Sequence, residues 1–199
     1  MKRNFLAAGF LSFCVFLSPG GAGALTIDFE GLADWLSLTD QYLGMGVVFS
    51  GATVLTAGIS LNEAEFPPHS GTNAAFDDGK PVTLTFSHPV ASFGAYFTYL
   101  FPLTLSLYDS LGALGGRVDS AFACNLALSG DPGSTPAEFL ALSSAAGFSR
   151  VVIEGDPAGS SFIFDDVTVN AVCEPAGLLL LGGALCGLAG LFKNRRNSA

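Results

Sequence analysis

Val82-Thr83-Leu84-Thr85-Phe86-Ser87 carries an apolar side chain at every second position, and Leu103-Thr104-Leu105-Ser106-Leu107-Tyr108 repeats the pattern. A period of two belongs to a half-buried strand, because successive side chains leave a strand on opposite faces. Outward from these two runs, the same reading predicts strands at residues 25–30, 47–56, 91–99, 116–123, 139–143, 150–154 and 162–170. Pro67-Pro68-His69-Ser70-Gly71 and Gly130-Asp131-Pro132-Gly133 punctuate them as turns. Nine short strands with no long amphipathic helix make the chain all-β and predict an antiparallel β-sandwich, jelly-roll-like, with phenylalanines filling the space between its sheets.

The two ends read differently from the middle. Between Arg3 and Lys193, three basic residues (Lys80, Arg117, Arg150) face all 17 acidic ones, a formal charge of −14, which excludes a phosphate backbone and hence nucleic acid as a partner. At the N-terminus, Lys2 and Arg3 precede an apolar run that ends at Ala22-Gly23-Ala24, a small-x-small cleavage site. Residues 1–24 are thus expected to be a signal peptide, cut by signal peptidase between Ala24 and Leu25. At the other end, residues 176–192 lack charge and are followed by Lys193-Asn194-Arg195-Arg196. As a helix they would span roughly 25 Å, enough for a single transmembrane crossing with the basic cluster held in the cytoplasm.

Val172-Cys173-Glu174-Pro175-Ala176-Gly177, the Leu- and Gly-rich run and the Arg-containing end together resemble the PEP-CTERM sorting signal of Gram-negative bacteria. In that family a Pro-Glu-Pro tripeptide precedes the helix; here Cys173 stands in the first proline's place, and only Glu174-Pro175 remains. The resemblance implies that residues 173–199 are a tail processed by an exosortase near Cys173, Glu174 and Pro175. It also implies a protein secreted through the inner membrane, membrane-held until processing, and destined for the cell envelope, surface or exopolysaccharide matrix. The domain at 25–172 resembles, more weakly, the jelly-roll modules of such proteins and of carbohydrate-binding modules. Asp28-Phe29-Glu30-Gly31-Leu32, His69-Ser70-Gly71-Thr72-Asn73-Ala74, Pro89-Val90-Ala91-Ser92-Phe93-Gly94 and Phe162-Ile163-Phe164-Asp165-Asp166-Val167 carry that likeness.

Candidate chemistry is thin. His69 and His88 are the sole imidazoles and both lie beside proline; no nucleophile elbow accompanies them. Asp77-Asp78 and Asp165-Asp166 are adjacent, so on a regular strand each pair splits between faces and forms no acid/base couple. A hairpin through Leu100-Phe101-Pro102 would set Tyr96 opposite Ser106 with Tyr108 diagonal to it. These two tyrosines then either form a glycan platform or cover sheet surface beneath a loop. Trp35 is assigned to packing. Cys124 and Cys173 either pair or stay apart, and no zinc spacing is present.

The carbohydrate-module resemblance further implies a structural calcium ion held by Asp28, Glu30, Asp165 and Asp166 between the first and last strands, an ion suited to hard oxygen ligands in so acidic a domain. The sequence thus reads as a secreted, non-enzymatic surface or matrix protein. A carbohydrate-binding module for exopolysaccharide is the alternative reading, and an envelope hydrolase the further one.

Overall fold

The computed structural model describes residues 24–172. The expected signal peptide and the 173–199 tail, with its transmembrane helix and processing residues Cys173, Glu174 and Pro175, lie outside the described residues. Among those described, no helix is long and apolar enough to cross a membrane.

The domain is all-β. Its nine strands are β1 (Ala24–Ile27), β2 (Val47–Ser50), β3 (Ala52–Thr56), β4 (Asn73–Asp77), β5 (Val82–Tyr99), β6 (Thr104–Tyr108), β7 (Leu114–Asp119), β8 (Glu138–Glu154) and β9 (Phe162–Ala171), with one 3-10 turn at Leu43–Met45. Every strand pairing is antiparallel. The order is β3-β4-β9-β5-β8-β6-β7, with β1 on β9 and β2 on β5.

Two strands are much longer than their apolar patterns predict. Residues 82–87 and 91–99 belong to one strand, β5, and 139–143 and 150–154 to another, β8. In β5 the buried apolar side chains are at even positions before the join (Val82, Leu84, Phe86) and at odd ones after it (Phe93, Ala95, Phe97, Tyr99). The parity flips where the β5–β8 register shifts, between Thr85 and Val90 and again before Ser92. Pro89 sits in that irregular stretch, where a missing N–H interrupts no regular ladder. The first half of β5 runs between β2 and the second half of β8; its second half runs between β9 and the first half of β8.

Both halves bury their apolar faces in one core, which is the arrangement of a β-sandwich. Val47 and Phe49 of β2 and Leu105 and Leu107 of β6 meet Phe162, Phe164 and Val167 of β9 there. Phe29 stands between the halves, with its ring centroid 6.0 Å from Phe49 and 5.5 Å from Phe164, both edge-on. Such edge-to-face pairs suit the aromatic quadrupole. A smaller apolar cluster (Leu55, Leu61, Ala74, Ile163) packs apart from that core, against the half-buried Ala57, Phe66 and Phe76.

Three further differences from the expected strands have local causes. The run 47–56 breaks into β2 and β3 at Gly51, whose φ is +77° and where a Cβ would come within 2.6 Å of the Pro81 carbonyl oxygen. β4 is absent from the expected strands, yet Ala74 and Ala75 are small enough to be fully buried beside β9. The hairpin through Leu100-Phe101-Pro102 does not form: β5 lies between β8 and β9, while β6 pairs with β7 and β8. The chain also closes on itself at one end, since Ala24 of β1 pairs with Asn170 of β9.

Candidate functional site

The segment before β2 runs along the free edge of β3, with the Trp35 N–H donating to the Val54 carbonyl (2.8 Å), Val54 N–H to Leu36 (2.9 Å) and Leu38 N–H to Ala52 (2.8 Å). Leu38 supplies the buried side chain of this segment. Trp35, expected to pack, does not: its φ is +60°, a left-handed conformation that is unusual for a bulky residue, and its side chain is 64% exposed. The indole meets the Phe76 ring edge-on with centroids 6.2 Å apart. Beside it opens a groove of about 240 Å³ lined by Trp35, Leu55, Asn62, Phe66, Phe76 and Ile163, among others. The Asp34 carboxylate fastens the opposite wall, accepting from the Thr56 N–H (2.9 Å) and from the Ser60 hydroxyl.

A second cluster gathers around the loop before β4. The His69 imidazole stacks flat on Tyr96, with centroids 3.4 Å apart and planes within 6°, and its Nδ1 lies 2.6 Å from Asp166 Oδ2. Phe139 of β8 leans on the same tyrosine at 4.9 Å. Ser70 donates its N–H to Asp165 (2.9 Å) and its hydroxyl to Asp166 (2.9 Å). Asp166 reaches outward because it is the extra residue of a bulge in β9, at φ +47° opposite Ala95. This bulge lets two consecutive aspartates serve one loop, which a regular strand forbids. Because the Ser70 hydroxyl is directed to a carboxylate, the group is no Ser-His-Asp relay.

The remaining expected site residues are scattered. Tyr96 lies beneath His69, while Tyr108 sits on β6 under the Arg150 guanidinium, 4.6 Å from its ring centroid, so the structure does not bring the two tyrosines together. Glu30 accepts from the Thr72 and Asn73 N–H groups (2.8 and 2.7 Å), and Asp28 accepts from the Glu30 N–H (3.2 Å). Each carboxylate expected for calcium thus accepts at least one hydrogen bond from a protein donor. Among the described residues no group of three or more His, Cys, Asp or Glu side chains is placed to hold a metal ion. Ala24 and Leu25, the expected cleavage pair, open β1. His88, its Nδ1 3.1 Å from the Ser87 hydroxyl, borders an apolar cleft of about 410 Å³ with Leu25, Met45 and Phe86. Cys124 is half-buried, and Cys173 lies outside the described residues.

Burial, above all, pushes the Asp165 carboxyl up to about 6, and the Asp166 charge adds to it, against the N–H groups of Ser70, Asp166 and His69 that pull it down. Asp77 is raised by burial in the same way. A carboxyl raised in the folded state contributes stability that is fully present below its unfolded value, about 3.9, and lost as pH rises through the folded value. Urea unfolding should therefore show stability falling between about pH 4 and about pH 7, Asp165 contributing at most about 3 kcal/mol. Asp165→Asn should flatten that slope; an unchanged profile would remove Asp165 as its source.

No family model matches the chain, and no curated protein does. Among solved structures it is similar to the K2 cleaved adhesin domain of Lys-gingipain, at 10% identity and a TM-score of 0.47 over 74% of this chain and 99% of that one. A DUF4465 family protein from Bacteroides caccae is similar at 12% identity and a TM-score of 0.41, over 78% of this chain and 96% of that one. The CBM22-1 xylan-binding domain of Paenibacillus barcinonensis Xyn10C is similar at 16% identity and a TM-score of 0.40, over 78% of this chain and 98% of that one.

Proposed function

We propose that this chain is a secreted, non-enzymatic cell-surface or extracellular-matrix protein whose jelly-roll-like sandwich binds polysaccharide through the Trp35 groove. The observation that carries the reading is the indole, held in the open by a left-handed backbone beside a groove floored by Phe76 and Ile163. An exposed tryptophan offers a wide apolar face to the C–H face of a pyranose and an N–H to its hydroxyls. Asn62 on the groove wall adds both a donor and an acceptor. The His69–Asp166 pair serves loop anchoring in this reading, and no turnover of glycan or ester substrates is expected.

Trp35→Ala should weaken retardation in gels containing the host's exopolysaccharide by about tenfold or more, since a stacked aromatic is a typical hot spot. Its thermal midpoint should barely move, because most of the side chain is in solvent. Tyr108→Ala should bind as the parent does. Retardation undiminished by Trp35→Ala would overturn the site.

Export and sorting belong to the same proposal. Signal peptidase cuts after Ala24, the tail holds the chain at the inner membrane of a Gram-negative bacterium, and an exosortase acts near Glu174-Pro175. The intact mass of protein from the cell surface and medium should lack residues 1–24 and the basic end; surface protein still carrying residues 193–199 would refute the processing.

A further inference from the structure

We propose that β7 joins two copies of this chain, its free edge pairing antiparallel with the same edge of the second copy about a two-fold axis at Val118. The inference is independent of the polysaccharide reading above.

The edges of this domain are not alike. The Trp35 to Leu38 segment bonds along β3, and β2 gives its Val47 and Phe49 N–H groups to the Tyr42 and Thr39 carbonyls, at 3.1 and 2.8 Å. Among the described residues β7 pairs with β6 alone. Its sequence, Leu114-Gly115-Gly116-Arg117-Val118-Asp119, holds neither the lysine nor the proline that commonly blunts an edge.

Which backbone groups are free follows from the ladder. The Ser120 N–H donates to the Leu103 carbonyl at 2.9 Å, and the register runs on from there, with Val118 opposite Leu105 and Gly116 opposite Leu107. Antiparallel pairs alternate between those that exchange N–H···O bonds and those that do not. Residues 116, 118 and 120 thus turn their N–H and C=O groups toward β6, while Arg117 and Asp119 turn theirs outward. A bulge at Gly115 ends the regular stretch on the other side.

The side chains choose the register. Arg117 and Asp119 are 56% and 61% exposed, on one face of β7. Arg117 Nε and Nη2 donate to Asp119 Oδ1 at 3.1 and 2.9 Å, and the Thr104 hydroxyl donates to the same oxygen at 2.8 Å. Asp119 Oδ2 and Arg117 Nη1 are without a partner among the described residues, so each held side chain keeps a charged atom to offer. An axis at Val118 sets Arg117 directly opposite Asp119 of the second copy, where outward backbone groups and opposite charges meet together. An axis one residue away, at Arg117 or at Asp119, sets like charges face to face. Axes farther out leave both charges without a counterpart. An edge of one sign repels its own copy; this one alternates and attracts it. No residue of β6 or β7 lines the Trp35 groove, so the paired copies would carry both grooves open.

A contact of so few residues gives a weak dimer that depends on concentration. Sedimentation velocity of the protein purified from its host should show a reversible monomer–dimer equilibrium as concentration rises. The amides of Arg117 and Asp119 should gain protection from hydrogen exchange as the dimer forms. Arg117→Asp and Asp119→Arg should each weaken self-association about tenfold or more, because each sets like charges opposite one another across the axis. Mixing the two variants restores opposite charges there and should recover a heterodimer within about threefold of the parent's affinity, a recovery that misfolded variants could not give. A monomer at every concentration would overturn the proposal. A dimer indifferent to both substitutions would place the interface elsewhere and overturn it too, and a mixture that stays monomeric would remove the register on which it rests.

Discussion

Phe164→Ala should destabilise the domain by about 3–5 kcal/mol, a large share of the roughly 5–15 kcal/mol that holds a domain of this size together. Phe164 lies on β9 with no solvent exposure, and its ring is ringed by Phe29, Phe97 and Phe162 at centroid distances of 5.5, 6.1 and 6.2 Å. β9 is hydrogen-bonded to β5 on one side and to β4 and β1 on the other, so its backbone cannot shift inward to fill the hole. The cavity term therefore adds to the lost transfer term. Urea denaturation measures the loss, and Phe164→Leu should recover more than half of it. A loss below about 1 kcal/mol would mean that the core is not closed around this ring.

Asp77→Ala should be comparably severe, at about 3–5 kcal/mol, for a different reason. The Asp77 carboxylate is 1% exposed and accepts from the Ser161 N–H at 2.7 Å, the Ser161 hydroxyl at 3.1 Å and the Phe162 N–H at 3.0 Å. Alanine removes the acceptor and leaves these donors buried without partners, at the start of the strand that carries Phe164. Asp77→Asn keeps one oxygen and should fall between parent and alanine variant. It should also weaken the pH dependence described above, since Asp77 is one of its two sources. Measurement is by urea unfolding at neutral pH; an Asp77→Ala midpoint equal to the parent's would show that solvent reaches those donors.

The class of the fold was legible because alternation is a local property: Val82, Leu84 and Phe86 face the core in the order the sequence announces. What the pattern could not convey was continuity. A parity change reads as the end of a strand, and only tertiary pairing shows that β5 and β8 run on through it. For the same reason the β5–β6 hairpin was a wrong inference: nearness in sequence, the usual guide to pairing, lost to β8 and β9 arriving from far along the chain. The site suffered more. Asp165 and Asp166 looked like opposite faces until the bulge turned both to one loop, and nothing local to Trp35 reveals a positive φ.

The pairing of Leu25 with Val169 has a mechanical meaning. In the proposed mature protein, held at its C-terminal end and pulled by a polymer in the groove, tension would enter at the C-terminal end of β9 and leave at the groove. β9 reaches the groove itself through Phe162 and Ile163, and β4 and β3 join it there through two antiparallel ladders. The shortest path between them therefore omits β2, β6 and β7. The β3–β4–β9 edge acts as the strut, and the other half of the sandwich serves as the ballast that keeps the strut from twisting.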